Sequence, residues 1–131
     1  MDTGVLVSAF AFKGTPAKAI TKAFREADIC VSPALLQEYR QTPIKLEAQK
    51  KITHKQMQAL IAGIAAVVSR AKIVYPAEGL SLSRDPKDNV VLECCHAAKA
   101  GILITGDNDL LDIADLSFDL RIVRPQTFIQ D

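Results

Sequence analysis

Acidic residues stand at separate points of this chain, each in a context where a carboxylate could bind a cation. Six are of interest: Asp2, Glu38, Asp85, Asp88, Asp107 and Asp109. Carboxylates brought together from distant parts of a chain repel one another, and a hard divalent cation offsets that repulsion. Mg²⁺ or Mn²⁺ held by carboxylates and water is typical of phosphoryl-transfer sites. Convergence of four of these acids, Asp2, Glu38, Asp88 and Asp107, therefore predicts a metal-dependent nuclease. Without it, the sequence predicts an ordinary small α/β domain.

Length and composition predict one globular domain that spans residues 1–131. The 49% hydrophobic content is enough to build a core. Sixteen basic and fifteen acidic residues leave a net charge of +1, so any nucleic-acid surface must be a local patch. The sequence shows neither a signal-like start nor a long apolar run. We therefore expect a cytoplasmic protein with no membrane partner.

The cysteines do not predict a disulfide or a zinc site. There are three of them, and Cys94 and Cys95 are adjacent while Cys30 is distant. An odd count argues against a disulfide framework, and the CxxC spacing of zinc sites is missing. We expect all three thiols to be buried in core elements.

The elements that must position the acids alternate between helices and short apolar runs. Helix starts are indicated by Thr15-Pro16, Ser32-Pro33, a capping box of Thr53 with Gln56, and Asp85-Pro86. The apolar runs at residues 29–31, 72–75, 102–104 and 121–123 predict strands, and Gly101 is the expected end of the helix that begins after Asp85. This alternation predicts a parallel sheet with right-handed crossovers.

The predicted sheet places three of the acids near one edge. In open parallel sheets, ligands bind beyond the carboxyl ends of the strands. The triplet Thr105-Gly106-Asp107 follows the strand at 102–104 immediately, and Glu38 lies one to two turns into the helix after the strand at 29–31. Asp88 lies in the first turn of its helix. Asp2 would belong at the end of a first strand, but only Met1 precedes it.

Four segments of the chain resemble the PIN domain family. They are residues 2–9, Ser32-Pro33 followed by Glu38, residues 84–89 and residues 104–110. The resemblance covers nearly the whole chain in the same order, and it is strongest to the toxins of toxin–antitoxin pairs, the VapC-like ribonucleases. It implies a PIN-like three-layer α/β/α fold with a central, mostly parallel sheet of about five strands. It also implies cleavage of single-stranded RNA with Mg²⁺ or Mn²⁺, a small cognate antitoxin and a homodimer.

The same resemblance assigns the site residues. The family's four acids fall on Asp2, Glu38, Asp88 and Asp107, and Asp109 matches an accessory acidic position that also binds metal. A metal held by these acids would polarise a water and the scissile phosphate, while Glu38 would position that water or act as a general base. Thr105 would donate a hydrogen bond to a phosphate or a carboxylate. The RNA would follow exposed cations: Lys13, Lys45, Lys50, Lys51 and Lys55.

Two departures from the family pattern concern the first acid. The family has several apolar residues before it, whereas here either the start lies upstream or the first strand is shortened. Gly4 stands where the family most often has Asn, which helps to fix the loop around that acid. These departures leave an alternative open: a catalytically degenerate PIN-like module that binds RNA or a partner.

Two other classes are compatible with fragments of the pattern. The triplet Asp2-Thr3-Gly4 is also that of aspartic proteases, but those are β-rich and this chain has strong helix starts. A receiver-like or phosphatase-like α/β domain also uses acids at strand ends. Phosphate incorporated at Asp2 or Asp107 would identify that second class.

Overall fold

The chain folds as an α/β protein in which helices predominate. The computed structural model describes residues 1–77, 82, 85–113 and 116–130. The chain begins with helix α1 (Thr3–Val7), a π-helical turn (Ser8–Phe12) and helix α2 (Thr15–Glu26). The elements that follow are β1 (Cys30–Val31), α3 (Pro33–Ala48), α4 (His54–Arg70), β2 (Lys72–Ile73), α5 (Pro86–Ala98), β3 (Ile102–Ile104), α6 (Asn108–Leu111), β4 (Arg121–Val123) and α7 (Pro125–Gln130).

Side-chain caps begin three of the four helices whose starts the sequence predicts, whereas α2 begins at Thr15 itself, after Gly14 and without a side-chain cap. The Ser32 hydroxyl accepts from the Leu35 amide at 3.2 Å, and it satisfies one of the free N–H groups of α3. Thr53 and Gln56 form the predicted capping box of α4. The Asp85 carboxylate caps α5 by accepting from the Lys87 amide at 3.0 Å. These caps confirm the positions of three helices that lead to or flank the acids.

Two local predictions are wrong, and one helix continues through a proline. Helix α5 ends at Ala98 because Lys99 adopts a left-handed conformation, with φ of 51°, two residues before the expected Gly101. Helix α3 continues through the buried Pro43 to Ala48, where packing against α4 compensates for the lost backbone hydrogen bond. Asp2 precedes a helix rather than ending a strand.

The strands form two separate sheets rather than one central sheet of about five strands. Strand β1 pairs in parallel with β2, and β3 pairs in parallel with β4. Across the described residues, β1 and β3 are not hydrogen-bonded neighbours. Among the residues that the structure describes, α1 begins at Thr3 and no strand lies between the two pairs, so the predicted sheet of about five strands is not seen there.

One hydrophobic core joins both pairs of strands to the helices. Its fully buried side chains include Leu6, Leu35, Leu60, Leu92 and Leu103, one from each of five elements. Cys94 and Cys95 are buried as predicted, and Cys30 is partly buried. No helix among the described residues is long and apolar enough to cross a membrane.

Candidate functional site

Thr105 connects the first and the last of the predicted acids. Its hydroxyl donates to Asp2 Oδ2 at 2.8 Å and accepts from the Asp107 amide at 3.0 Å. Thr105 is fully buried directly after β3, so this arrangement is fixed by the core. The Asp2 amide also donates to the Ile104 carbonyl at 3.1 Å. The residues around Asp2 and Asp107 are thus held together although they are distant in sequence.

Asp107 is set at the carboxyl end of β3, as predicted. Its side chain caps the short helix α6 by accepting from the Asp109 amide at 2.9 Å. Asp107 and Asp109 are both exposed. A role of Asp107 in this turn is compatible with a role in the site, because the capping side chain still acts on the carboxyl of Asp88, whose pKa its charge raises.

Asp88 is the buried member of the group, with 6% of its surface exposed. It lies in the first turn of α5, whose start is fixed by the Asp85 cap. Burial raises the pKa of the Asp88 carboxyl, and the charges of Asp85, Asp107, Asp109 and Asp2 raise it further. Asp88 is therefore within electrostatic range of Asp2, Asp107 and Asp109.

Glu38 is connected to the group through its neighbour Tyr39. Burial raises the pKa of Tyr39 well above its ordinary value, and the charges of Cys94, Asp2 and Glu38 add to that rise. The Tyr39 hydroxyl donates to the Met1 carbonyl at 2.5 Å. Tyr39 thus fixes the backbone before Asp2, a role that the sequence reading missed. The signal was its spacing of four residues from Leu35 on the inner face of α3.

The donor set suits a hard cation, but the side chains are not arranged around one. In the described part of the chain, no three His, Cys, Asp or Glu residues are placed to hold a single ion. The candidate ligands are carboxylates, the oxygen ligands that Mg²⁺ and Mn²⁺ prefer. Asp2 accepts from the buried Thr105, and Asp88 and Asp107 lie at the starts of α5 and α6. Their mutual repulsion, visible at Asp88, is what a bound cation would relieve. The residues therefore fit a divalent ion, and the metal ligands remain a prediction.

A cleft of about 430 Å³ opens beside these acids. Nine residues line it: Asp2, Gly4, Val5, Ser8, Pro16, Gly106, Asp107, Pro125 and Gln126. The polar Ser8 and Gln126 were not predicted as site residues, although Ser8 lies within the family-like segment 2–9 that contains Asp2. Beside it, Arg124 donates to Asn108 Oδ1 at 2.8 Å, which puts a cation next to α6.

The lysines predicted to follow the RNA are exposed but lie elsewhere. Lys13, Lys45, Lys50, Lys51 and Lys55 are all on the surface. As far as the structure describes the chain, none of them lines the acidic cleft. Arg84, part of one of the family-like segments, lies outside the described residues.

Comparison with known proteins gives one family and one relative. Residues 1–109 match the family described as PIN domain. An uncharacterized protein of Methanocaldococcus jannaschii is 26% identical over 140 residues, a match that covers 100% of this chain and 88% of the relative. No solved structure matches the chain. The family match spans Asp2, Glu38, Asp88, Asp107 and Asp109.

Proposed function

Because this chain belongs to the PIN domain family, whose members are generally nucleases, we propose that it is a metal-dependent endoribonuclease that cleaves single-stranded RNA. The observation that carries the proposal is the placement of Asp88. A buried carboxyl surrounded by the charges of Asp2, Asp107 and Asp109 is unfavourable for an apo protein. It is favourable for a protein that binds a cation at that point.

The proposed roles are those that the family resemblance assigns to these side chains. Asp2, Asp88 and Asp107 would hold Mg²⁺ or Mn²⁺, with Asp109 at the exposed rim and Glu38 beside Tyr39. The ion, when bound, supplies polarisation of a water and of the scissile phosphate. Thr105 keeps the Asp2 carboxylate oriented. Glu38 would position the attacking water or act as the general base that accepts its proton.

The biological setting is proposed from the family resemblance alone. We assign the chain the role of toxin in a toxin–antitoxin pair, acting in the cytoplasm as a homodimer that a small antitoxin inhibits. A screen of the neighbouring reading frames for a short protein that binds this chain and stops cleavage tests that assignment. Failure of such a screen would remove the toxin role and leave the nuclease proposal intact.

One observation favours a second candidate, the degenerate binding module. The acids do not converge to ligand positions in the described residues, and Gly4 leaves space beside the first acid. A Cβ on Gly4 would lie 4.0 Å from Asp2 Oδ2, so an Asn there would sit against that carboxylate. If the site is degenerate for this reason, Gly4→Asn gains cleavage activity that the native chain lacks.

Cleavage of a single-stranded RNA oligonucleotide by the purified chain tests the proposal. We expect cleavage with Mn²⁺ or Mg²⁺ and none with EDTA. Asp88→Asn lowers the rate by at least about a hundredfold, the loss typical of removing one group from an electrostatic site. Asp85→Asn is the matched control: it removes a charge from the same helix start, and Asn caps a helix as well as Asp. Activity that survives EDTA and Asp88→Asn would refute the nuclease.

A further inference from the structure

The cleft beside the acids has a large uncharged lining. As far as the structure describes the chain, Asp2 and Asp107 are the charged residues that line it. Most of the remaining lining comes from the N-terminal helical segment and from the starts of α2 and α7: Val5, Ser8, Pro16, Pro125 and Gln126. A volume of about 430 Å³ falls within the range of small-ligand pockets, roughly 300–1,000 Å³. The cleft therefore has room for a ligand group beside the acids.

The uncharged lining combines an apolar floor with two polar side chains. The apolar floor consists of Val5 and Pro125, which are buried, and Pro16, which is half-buried. Ser8 is half-buried and Gln126 is exposed, and among the described residues neither side chain has a hydrogen-bond partner. An amide and a hydroxyl can each donate and accept. Such a lining suits a neutral, planar group that has apolar faces and a polar edge.

Gln126 lies on a firmly anchored turn between β4 and α7. Pro125 begins α7, and the Arg124 carbonyl accepts from the Phe128 amide at 3.1 Å. Phe128 is buried, and Lys22 of α2 donates to its carbonyl at 2.6 Å and lies 4.8 Å from the centre of its ring. The backbone that carries Gln126 is thus fixed before any ligand binds, which reduces the entropy lost on binding.

A cation lies at the edge of the same cleft. Arg124 directly precedes Pro125, and its guanidinium donates to Asn108 Oδ1 at 2.8 Å, next to the lining residue Asp107. A guanidinium has five N–H donors, so this bond leaves others for a ligand. Arg124 is exposed, and arginine binds phosphate well through paired N–H groups. The turn therefore offers a phosphate contact and an amide contact on the two sides of a buried proline.

We propose that this turn and Ser8 bind the nucleotide next to the scissile phosphate and make cleavage selective for one base. The base lies on the apolar floor, and Gln126 and Ser8 form hydrogen bonds with its edge. Arg124 binds a phosphate of the same nucleotide. This inference rests on the proposed nuclease function, because it identifies the part of the RNA that the cleft selects.

A nucleobase fits the uncharged lining better than the other parts of an RNA do. The faces of a base are apolar and its edge carries donors and acceptors, whereas a phosphate against the apolar floor would lose its hydration. A base in a duplex is stacked and paired, so only an unstacked base of a single strand can enter. Residues 124–126 lie beyond residues 1–109, the part of the chain that matches the family. We therefore expect the selectivity to be particular to this chain.

Binding of free nucleosides tests the base contact without cleavage. The ¹⁵N-labelled chain is titrated in EDTA with each of the four ribonucleosides, while NMR follows the amide signals of Val5, Gly106 and Gln126. Nucleosides carry no phosphate, so the acids do not repel them. We expect one nucleoside to bind about tenfold more tightly than the others, the discrimination typical of an amide that contacts a base edge.

Two glutamines of α7 provide matched variants for this titration. Gln126→Ala should weaken binding of the preferred nucleoside about tenfold and remove the discrimination. Gln130→Ala removes another exposed glutamine from the same helix, outside the cleft lining, and should bind as the native chain does. Arg124→Gln should leave nucleoside binding unchanged but weaken binding of the corresponding monophosphate about tenfold, because a charged hydrogen bond is lost.

Cleavage of a randomised single-stranded RNA in Mn²⁺ extends the test to the substrate. We expect the native chain and Gln130→Ala to prefer the same base beside the cut, and Gln126→Ala to lose about tenfold of that preference. A base preference that survives Gln126→Ala would overturn the inference. So would the absence of any nucleoside-dependent shift at the cleft up to about 10 mM. A chain that binds a nucleoside but cuts no RNA would refute the proposed function instead, so the two failures are distinct.

Discussion

Thr105 has an influence on the site that its uncharged side chain would not suggest. It joins the carboxylate of Asp2 to the backbone of Asp107, and it does so while fully buried. The sequence predicted a hydrogen bond from Thr105 to a phosphate or a carboxylate, and the structure shows the carboxylate. The side chain therefore positions one candidate ligand relative to another.

Thr105→Val tests that positioning role. The substitution keeps the shape but leaves an Asp2 oxygen and the Asp107 amide without their partner, which costs about 1–3 kcal/mol of unfolding free energy. We expect RNA cleavage to fall as well, because Asp2 loses its orientation. Thr105→Ser keeps the hydroxyl and is the control. Chemical denaturation measures stability, and equal behaviour of the valine and serine variants would contradict the role.

Asp88 gives a pH dependence with a defined sign. Its carboxyl has a raised pKa in the folded chain, so the native state holds the proton more tightly than the unfolded state does. Stability therefore falls as pH rises from the ordinary value of 3.8 through the folded pKa. Asp88→Asn removes this loss. In EDTA we expect the variant to melt above the native chain at pH 7 and level with it below pH 3.8. A lower melting point for Asp88→Asn at pH 7 would contradict the electrostatic account.

At the scale of elements, local signals predicted the starts of helices well and the N-terminal segment poorly. These starts depend on residues within four positions of one another: a proline after Ser32, a proline after Asp85, and the capping box at Thr53. Helix α1 and the π-helical turn depend on tertiary contacts with α2, α3 and α4, which no local pattern reveals. Pro43 is a similar case, since its helix is kept by packing against α4.

Contact between the π-helical turn and α4 is tight enough to test. A Cβ on the buried Gly63 would overlap the ring of Phe10, so the two elements approach because this residue is glycine. Helix propensity alone favours Gly63→Ala by up to about 1 kcal/mol. We expect the opposite sign, a loss of about 1–3 kcal/mol from overpacking.

A double-mutant cycle separates these effects. Adding Phe10→Ala to Gly63→Ala removes the overlap, so the alanine at position 63 should stabilise that background or be neutral. Thermal or urea unfolding of the four proteins gives the coupling energy. A stabilising Gly63→Ala in the native background would show that the two elements are not in close contact.

For the whole molecule, the sequence was sufficient for the order and positions of four strands but not for their assembly. The apolar runs that became β1, β2, β3 and β4 were each predicted, and their pairings are parallel. A fifth strand was expected near the N-terminus, whereas residues 3–12 form helix α1 and the π-helical turn. The same limit applies to the site. Local sequence context was enough to identify Asp88 and Asp107, whereas Tyr39 and the cleft could be recognised only from the fold.

The central claim is that Asp2, Asp88 and Asp107 form one cation site, and calorimetric titration of the purified chain with Mn²⁺ tests it most directly. We predict saturable binding by the native chain and by Asp85→Asn. Asp88→Asn and Asp107→Asn should each weaken it by at least about tenfold, equivalent to 1.4 kcal/mol. The claim is contradicted if the native chain binds no Mn²⁺, or if Asp88→Asn binds it as tightly as Asp85→Asn does.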